Sequence, residues 1–205
     1  KKKKKCLARI YQRGFAVDLA ALDSVRQEFE QERDDLQRDL QEHVRELMGD
    51  TPINLNSPEQ LSWVVYSRKV LDKQYWGNQI DPYMDEADFR SLLSGGTERL
   101  YKTKATQCSE CSGTGHVRKV RKDGTPYSKP NRCKVCDGAG YTLTPLPAAA
   151  GLRFKPPSPK WASANGFSTS KQNLEALERA ARAKEMTDAV DFLSKVRRYL
   201  QSRHT

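Results

Sequence analysis

The chain has 205 residues, with 36 lysine and arginine side chains against 26 aspartate and glutamate side chains, and a formal net charge of +10. No stretch of it approaches the roughly 20 consecutive apolar residues that a membrane span needs. We therefore expect neither a membrane span nor a secretory signal, and one domain with an appendage or two small domains.

Five lysines open the chain, and residues 1–6 are assigned as a basic tail. Such a run is typical of a solvated tail, and a phosphate-binding arm is the alternative interpretation. Cys6, which follows the run, is interpreted as an incidental thiol.

A long helix is predicted over residues 18–48, with Asp18 as its cap and Gly49 as its stop. Ten acidic and four basic side chains fall in this range, so the helix is not expected to meet a polyanion. Its apolar side chains recur at steps of three, four or seven: Leu19, Leu22, Val25, Phe29, Leu36, Leu40, Val44 and Leu47. We expect this stripe to dock on a partner helix. A coiled coil is the alternative, although Glu32 and Arg33 interrupt the seam.

A second helix start is predicted within residues 54–61, which read Asn-Leu-Asn-Ser-Pro-Glu-Gln-Leu. Ser57 is the predicted N-cap, Pro58 the first helical residue, and Gln60 the third residue after the cap, as in a capping box. Two more helices are predicted near residues 170–183 and 187–203. Thr169 or Ser170 is the predicted cap of the first of these and Thr187 that of the second.

Two copies of the pattern CxxCxGxG lie between the helical parts. They place cysteines at Cys108, Cys111, Cys133 and Cys136. Closely spaced pairs followed by glycine predict one structural four-cysteine site holding one Zn²⁺ ion, with no open position for catalysis. Separate redox pairs and an iron–sulfur cluster are the alternatives, and His116 is interpreted as a surface histidine. Cysteines used in this way indicate a reducing compartment, so we expect a cytoplasmic or nucleoid-associated protein.

The zinc-binding insertion is assigned to residues 101–144 and a proline-rich linker to residues 145–165. Residues 101–141 carry nine lysine and arginine side chains against three carboxylates. A basic zinc hairpin suits contact with phosphates, and the candidate DNA-binding residues in it are Arg118, Lys119, Arg121 and Lys122. Solubilising charge is the alternative interpretation.

The repeats resemble those of the zinc domain of J-protein (Hsp40) chaperones, in which CxxCxGxG recurs four times. Here the pattern occurs twice, and the His-Pro-Asp signature of J-domains is absent from the sequence. The resemblance therefore implies a single knuckle pair and not a chaperone.

The helical flanks resemble the thumb of family A, polymerase I-type DNA polymerases. Residues 7–18 are similar to the entry segment of that family, with Gln12 where a glutamate is common. Residues 54–61 resemble the thumb signature N-x-N-S-P-x-Q-L, and residues 167–171 and 196–200 resemble the return toward the palm. The resemblance covers about residues 7–75 and 166–205, whereas residues 85–160 depart from it, and a zinc insertion is not usual in the family.

This resemblance implies a mainly α fold of long antiparallel thumb-like helices with an inserted small zinc β-hairpin module built on the four cysteines. Residues 7–100 would form the first part of the helical subdomain and residues 166–205 the second. It also implies contacts to the backbone of a primer–template duplex by six residues: Asn54, Asn56, Ser57, Arg197, Arg198 and Arg203.

The function implied is that of a DNA polymerase fragment that grips duplex DNA. Nothing matches the family's palm or fingers motifs, so no catalytic site is expected in the fragment, and polymerase activity would belong to the parent chain. One rival is a zinc-stabilised interaction module that docks an accessory replication protein. Another is a free-standing zinc protein unrelated to polymerases.

Overall fold

The computed structural model describes residues 18–202. These residues divide into two units, residues 18–39 and residues 40–202. The lysine run, Cys6, the polymerase-like entry segment, Arg203 and His204 lie outside the described residues.

Helix α1 spans Leu19–Met48, which confirms the predicted long helix. It begins where the Asp18 carboxylate accepts hydrogen bonds from the N–H groups of Ala20 and Ala21, at 3.0 and 3.1 Å. It ends at Gly49, which has a φ of 75°. In the first unit the apolar stripe is exposed, Leu19 to 69% and Phe29 to 67%. Docking of that stripe on a partner helix is therefore not seen within residues 18–39.

The second unit contains five further helices and eight short strands within residues 40–202. The helices are α2 (Pro58–Tyr66), α3 (Lys73–Gln79), α4 (Glu86–Gly96), α5 (Lys171–Ala183) and α6 (Thr187–Gln201). The strands are β1 (Arg68–Val70), β2 (Thr97–Arg99), β3 (Tyr101–Gln107), β4 (His116–Val117), β5 (Asn131–Arg132), β6 (Tyr141–Ala149), β7 (Ala162–Ser163) and β8 (Gly166–Phe167). They pair as four antiparallel two-stranded sheets, β1 with β2, β3 with β6, β4 with β5 and β7 with β8.

The core of the second unit is made by apolar faces of its helices. Trp76 is fully buried, packs on Phe167 at 5.7 Å between ring centroids, and donates its indole N–H to the Ser163 carbonyl at 2.7 Å. The Tyr66 hydroxyl donates to the Ser168 carbonyl at 2.9 Å. Other buried side chains are Leu40, Val44, Leu61, Val64, Leu174, Leu177, Phe192, Leu193 and Val196.

The predicted helix starts are largely confirmed. Ser57 caps α2 by accepting from the Gln60 N–H at 3.4 Å, and Pro58 occupies the first turn. The Gln60 side chain accepts from the Asn54 N–H, so the capping box closes three residues further back than predicted. Ser170 caps α5, whereas Thr187 is the first residue of α6 and not its cap.

The predicted fold class is wrong. Of residues 18–202, 48% are helical and 18% are in strands, and long antiparallel thumb-like helices are not shown among them, because the helices after α1 have between 7 and 15 residues. The prediction followed the resemblance to the polymerase thumb, which does not account for threonine and tyrosine in residues 97–107 and 141–149, residue types that favour extended backbone. Those segments form β2, β3 and β6 instead.

The β3–β6 ribbon fixes the cysteine-containing segment to the helical part of the second unit. The Asp50 N–H donates to the Thr103 carbonyl, and the Asp50 carboxylate accepts from the Ala105 N–H, both at 2.9 Å. Donation from the Ala105 N–H to the carboxylate is the main cause that lowers the pKa of Asp50. The segment is therefore anchored at the base of the ribbon.

The predicted proline-rich linker differs from the structure at its first half. Strand β6 continues to Ala149, and Pro145 and Pro147 are tolerated because a two-stranded ribbon leaves every strand one unpaired edge. Beyond it, the N–H groups of Leu152 and Phe154 donate to the carbonyls of Val64 and Val65, at 2.8 and 3.1 Å. The segment is thus hydrogen-bonded to α2 and is not a free tether.

Candidate metal centre

The four cysteines of the two repeats meet in one buried cluster. Their sulfur atoms all lie within 4.8 Å of one another. The Sγ atoms of Cys108 and Cys133 are 3.9 Å apart, and those of Cys111 and Cys136 are 3.6 Å apart. These separations are far longer than the roughly 2.05 Å of a disulfide bond. The cluster could hold one metal ion on four sulfur ligands.

The two repeats are related by a near two-fold arrangement of backbone hydrogen bonds. The N–H groups of Gly115 and Gly140 donate to the sulfurs of Cys111 and Cys136, both at 3.3 Å. Each repeat also pairs with the other, since the Cys108 N–H donates to the Gly140 carbonyl and the Cys133 N–H to the Gly115 carbonyl, both at 2.9 Å. Donors directed at sulfur stabilise thiolates, which are the form that binds metal.

Burial and N–H donation act in opposite directions on the pKa values of the thiols in this cluster. At Cys111 burial raises the pKa, but N–H donation from Gly115 and hydrogen bonds from the neighbouring thiols lower it, to about 7 overall. At Cys136 burial raises the pKa to about 11. Four adjacent sulfurs cannot all ionise without a compensating cation, and a bound dication supplies that compensation.

Glycine is required at position 115 by both conformation and space. Gly115 has a φ of 73°, and a Cβ there would collide with the carbonyl of Gly138. Gly124, at the tip of the hairpin, has a similar φ of 83°, but a Cβ there would meet nothing within 4 Å. A substitution at Gly124 therefore adds backbone strain alone, whereas one at Gly115 adds both strain and a collision close to the sulfurs.

We expect Gly115→Ala to weaken metal binding by about 10- to 100-fold, because it displaces the N–H that donates to Cys111. Gly124→Ala should leave the affinity within about twofold, since it perturbs only a solvated turn. Competition with a chromophoric chelator measures both affinities. Equal losses in the two variants would contradict the assigned role of Gly115.

A basic hairpin projects from the cysteine cluster. Its strands β4 and β5 pair His116 with Arg132 and Val117 with Asn131, and the Arg121 N–H closes the turn on the Thr125 carbonyl at 2.8 Å. Residues 118–132 are all exposed. In the part of the chain that the structure describes, no ion pair involves the following exposed cations: Arg118, Lys119, Arg121, Lys122 and Lys129.

Two other charged residues of the segment are engaged locally. Arg132 pairs with Asp137 at 3.2 Å and donates to its carbonyl at 2.7 Å. Asp123 accepts from the Thr125 hydroxyl and N–H, which lower its pKa.

The Arg121 guanidinium lies 5.1 Å from the centre of the Tyr127 ring. His116 is exposed, is not a member of the sulfur cluster, and has Nδ1 3.2 Å from the Thr114 carbonyl.

The predicted DNA contacts of the signature segment lie at the N-terminus of α2. Asn54 uses its side chain in a local turn, accepting from the Asn56 N–H at 2.9 Å, and Ser57 is occupied as the helix cap. The side chain of Asn56 is exposed. The structure therefore brings these three residues together on one loop.

The predicted DNA contacts near the end of the chain, Arg197, Arg198 and Arg203, differ in their surroundings. Arg197 forms ion pairs with Glu175 at 2.7 Å and Glu178 at 2.5 Å and is 26% exposed, so it joins α6 to α5. Arg198 is exposed on α6, and Arg203 lies outside the described residues. The sequence does not predict the ion pairs of Arg197, because periodicity places this residue on a helix but does not identify its partners.

No protein-family model, curated protein or solved structure matches this chain. Within residues 18–202, no helix is long and apolar enough to cross a membrane.

Proposed function

We propose that this chain is a segment of a family A DNA polymerase that grips the primer–template duplex through its sugar-phosphate backbone. The observation that carries the proposal is the exposed basic hairpin, held on a buried four-cysteine cluster and free of carboxylate partners among the described residues. Nucleotidyl transfer itself would be supplied by the remainder of the parent polymerase.

We propose zinc as the ion of the cysteine cluster. A tetrahedral site with Zn–S bonds of about 2.3 Å has sulfur–sulfur edges of about 3.8 Å. The pairs at 3.6 and 3.9 Å lie on either side of that value. Four thiolates also close the coordination shell, so the ion is structural and orients the hairpin.

Phosphate contact follows from the charge and position of the hairpin. Arg118, Lys119 and Lys122 lie in the connection between β4 and β5, and each is exposed. Cations that neutralise DNA phosphates release condensed counterions, which makes the affinity fall steeply with salt. Contacts of this kind position a protein on the duplex without selecting a sequence.

The N-terminus of α2 supplies the second contact in this proposal. Asn56 presents an exposed amide at the start of this helix, and a helix N-terminus attracts phosphate. The support for this part is the match of residues 54–61 to the thumb signature, together with their folding into a capped helix start.

The proposal is tested by the salt dependence of binding to a fluorescently labelled primer–template duplex. The triple variant Arg118→Gln/Lys119→Gln/Lys122→Gln should reduce the slope of log affinity against log salt by about three, since each removed cation leaves one phosphate with its counterions. The matched control, Arg26→Gln/Arg33→Gln/Arg38→Gln, removes the same charge from α1, where each arginine already pairs with a carboxylate.

An unchanged slope in the hairpin variant, or an equal change in the control, would refute the hairpin as a DNA grip. Asn56→Ala tests the α2 contact in the same assay. It should weaken binding uniformly across duplex sequences and leave the zinc content at one ion per chain.

A docking role for the module is the second candidate. Val120 and Val135 are each 61% exposed and Tyr127 is 47% exposed, so apolar surface accompanies the cations. In this case the module binds an accessory replication protein, and Val120→Ser/Val135→Ser would abolish that association without altering the salt slope for DNA.

A further inference from the structure

A second basic surface lies at the opposite end of α2 from the predicted DNA contacts. It is a cleft of about 940 Å³ between α4, the β1–β2 pair and the chain at residues 153–159. We call it the cationic cleft. Its charged lining consists of Arg68, Arg90, Arg99, Arg153 and Lys155, with Glu86 as its one carboxylate.

Two arginines face each other across the β1–β2 pair. Arg68 and Arg99 are direct partners in the register of this antiparallel sheet. Burial and, next, the charge of Arg99 lower the pKa of Arg68. Like charges at opposed positions destabilise a sheet unless an anion lies between or beside them.

Three cations of the cleft have no ion-pair partner within the described residues. The carboxylate of the cleft, Glu86, is already paired with Arg90 at 2.7 Å. Arg99, Arg153 and Lys155 are exposed, and within residues 18–202 none of them forms an ion pair. The cleft thus offers three cations to an anion from solution.

Arg153 is held in place by its neighbours. It has a φ of 62°, in the left-handed region that residues with a Cβ rarely adopt. Its N–H donates to the Ser67 hydroxyl at 2.9 Å, and the N–H groups of Leu152 and Phe154 are fixed on α2. The arginine is therefore presented from a constrained backbone.

Flat apolar surface lies beside these cations. Tyr101 is 48% exposed and Phe154 is partly buried, and both line the cleft together with Pro156, Pro157 and Pro159. Aromatic rings beside cations are the combination that binds single nucleotides, because the base stacks and the phosphate pairs with the charges. The volume also falls within the range of small-molecule sites.

We propose that the cationic cleft binds a nucleoside phosphate unit. Its phosphate contacts Arg99, Arg153 and Lys155, and its base lies against Tyr101 or Phe154. The unit comes either from a free nucleoside triphosphate or from single-stranded nucleic acid. The proposal does not depend on the duplex grip, since no residue of the cleft belongs to the basic hairpin or to residues 54–57.

The experiment uses the full chain and two probes, a fluorescent nucleoside triphosphate and a labelled oligothymidylate. Arg99→Gln/Arg153→Gln should weaken binding of the recognised probe by about 100-fold, since each of the two charged hydrogen bonds contributes about one order of magnitude. The control Arg179→Gln/Lys171→Gln removes two exposed charges from α5. It should leave the affinity unchanged.

Photocrosslinking supplies a readout that general charge attraction does not give. An oligothymidylate containing 5-iodouracil, or the corresponding iodinated nucleotide, should crosslink to Tyr101 or Phe154, and Arg99→Gln/Arg153→Gln should suppress the crosslink. Preference for the triphosphate identifies a free nucleotide as the source, and preference for the oligomer identifies a strand.

Three results would overturn the proposal. They are equal losses in the cleft and control variants, crosslinks confined to the basic hairpin, and displacement of both probes by polyglutamate but not by unlabelled triphosphate or oligothymidylate. The last result would assign the cleft to acidic peptides. The salt slope of duplex binding is scored separately with the hairpin variant, so failure of either proposal leaves the other standing.

Discussion

Removing the proposed zinc ion is expected to unfold residues 108–140 and to leave the helical part of the second unit folded. The four cysteines form their own small core, against which only Val117 packs among the described hydrophobic residues. Such a module cannot bury enough apolar area to fold alone, whereas a structural zinc ion contributes roughly 10–16 kcal/mol in peptides. Cys133→Ser should have the same effect as a chelator.

The measurements are metal analysis and amide hydrogen exchange. Wild type should contain one zinc ion per chain and protect the Gly115, Cys133 and Gly140 amides. Cys133→Ser should lose both the ion and this protection. Ser109→Ala is the matched control, since Ser109 lies between two ligands but is exposed. Protection that persists in the metal-free protein would show that the cluster is stable without an ion.

The second large effect is expected at the ion pairs that join α5 to α6. Glu178 is 5% exposed and accepts from Arg182 and from Arg197, both at 2.5 Å. Arg197 Nε is buried without a hydrogen-bond partner. We expect Glu178→Ala to lower the free energy of unfolding by about 3 kcal/mol, because it removes the buried carboxylate that two guanidinium groups share and leaves Arg197 with Glu175 as its remaining ion-pair partner.

Urea unfolding followed by circular dichroism measures this loss, with two comparisons. Glu175→Ala removes the more exposed partner of Arg197 and should cost about 1 kcal/mol or less. The double variant Glu178→Leu/Arg197→Leu should recover most of the stability, since replacing a buried pair with apolar side chains is often nearly neutral. If Glu178→Ala lowers the free energy of unfolding by no more than Glu175→Ala does, the buried carboxylate does not stabilise the α5–α6 pair more than the exposed one.

The same pairs bear on the predicted contact between Arg197 and DNA. An arginine whose guanidinium serves two glutamates cannot be moved to a phosphate without breaking them. If the role of Arg197 is only to stabilise the fold, the double variant Arg197→Leu/Glu178→Leu should bind duplex DNA with wild-type affinity.

Local features of the chain were predictable because they depend on neighbouring residues. The capped start of α2, the extent of α1 and the positions of α5 and α6 follow from cap residues, glycine and helical periodicity. The joining of four cysteines followed from the repeated spacing, since two paired knuckles of this kind commonly share one ion. The exposed cations of the hairpin followed from composition.

The fold class could not be predicted because it depends on pairing between segments that are distant in the chain. Residues 101–107 and 141–149 are separated by more than 30 positions, so their pairing leaves no periodic signal in either segment. Proline in the second segment indicated a linker, although an edge of a two-stranded ribbon accepts it. The anchoring of the ribbon on Asp50 was equally invisible, because a single aspartate carries no sign of a distant N–H.

The sequence by itself determined the ends of α1 and the capped starts of α2 and α5, the four-cysteine cluster and the basic character of the segment between its knuckles. Each of these depends on residue type at short spacing. Only the tertiary structure decided that Arg197 pairs with Glu175 and the buried Glu178, that the cysteine module is anchored through a ribbon, and that Arg68, Arg99 and Arg153 meet in one cleft. Those contacts join residues far apart in the chain, and their partners are chosen by packing and not by local pattern.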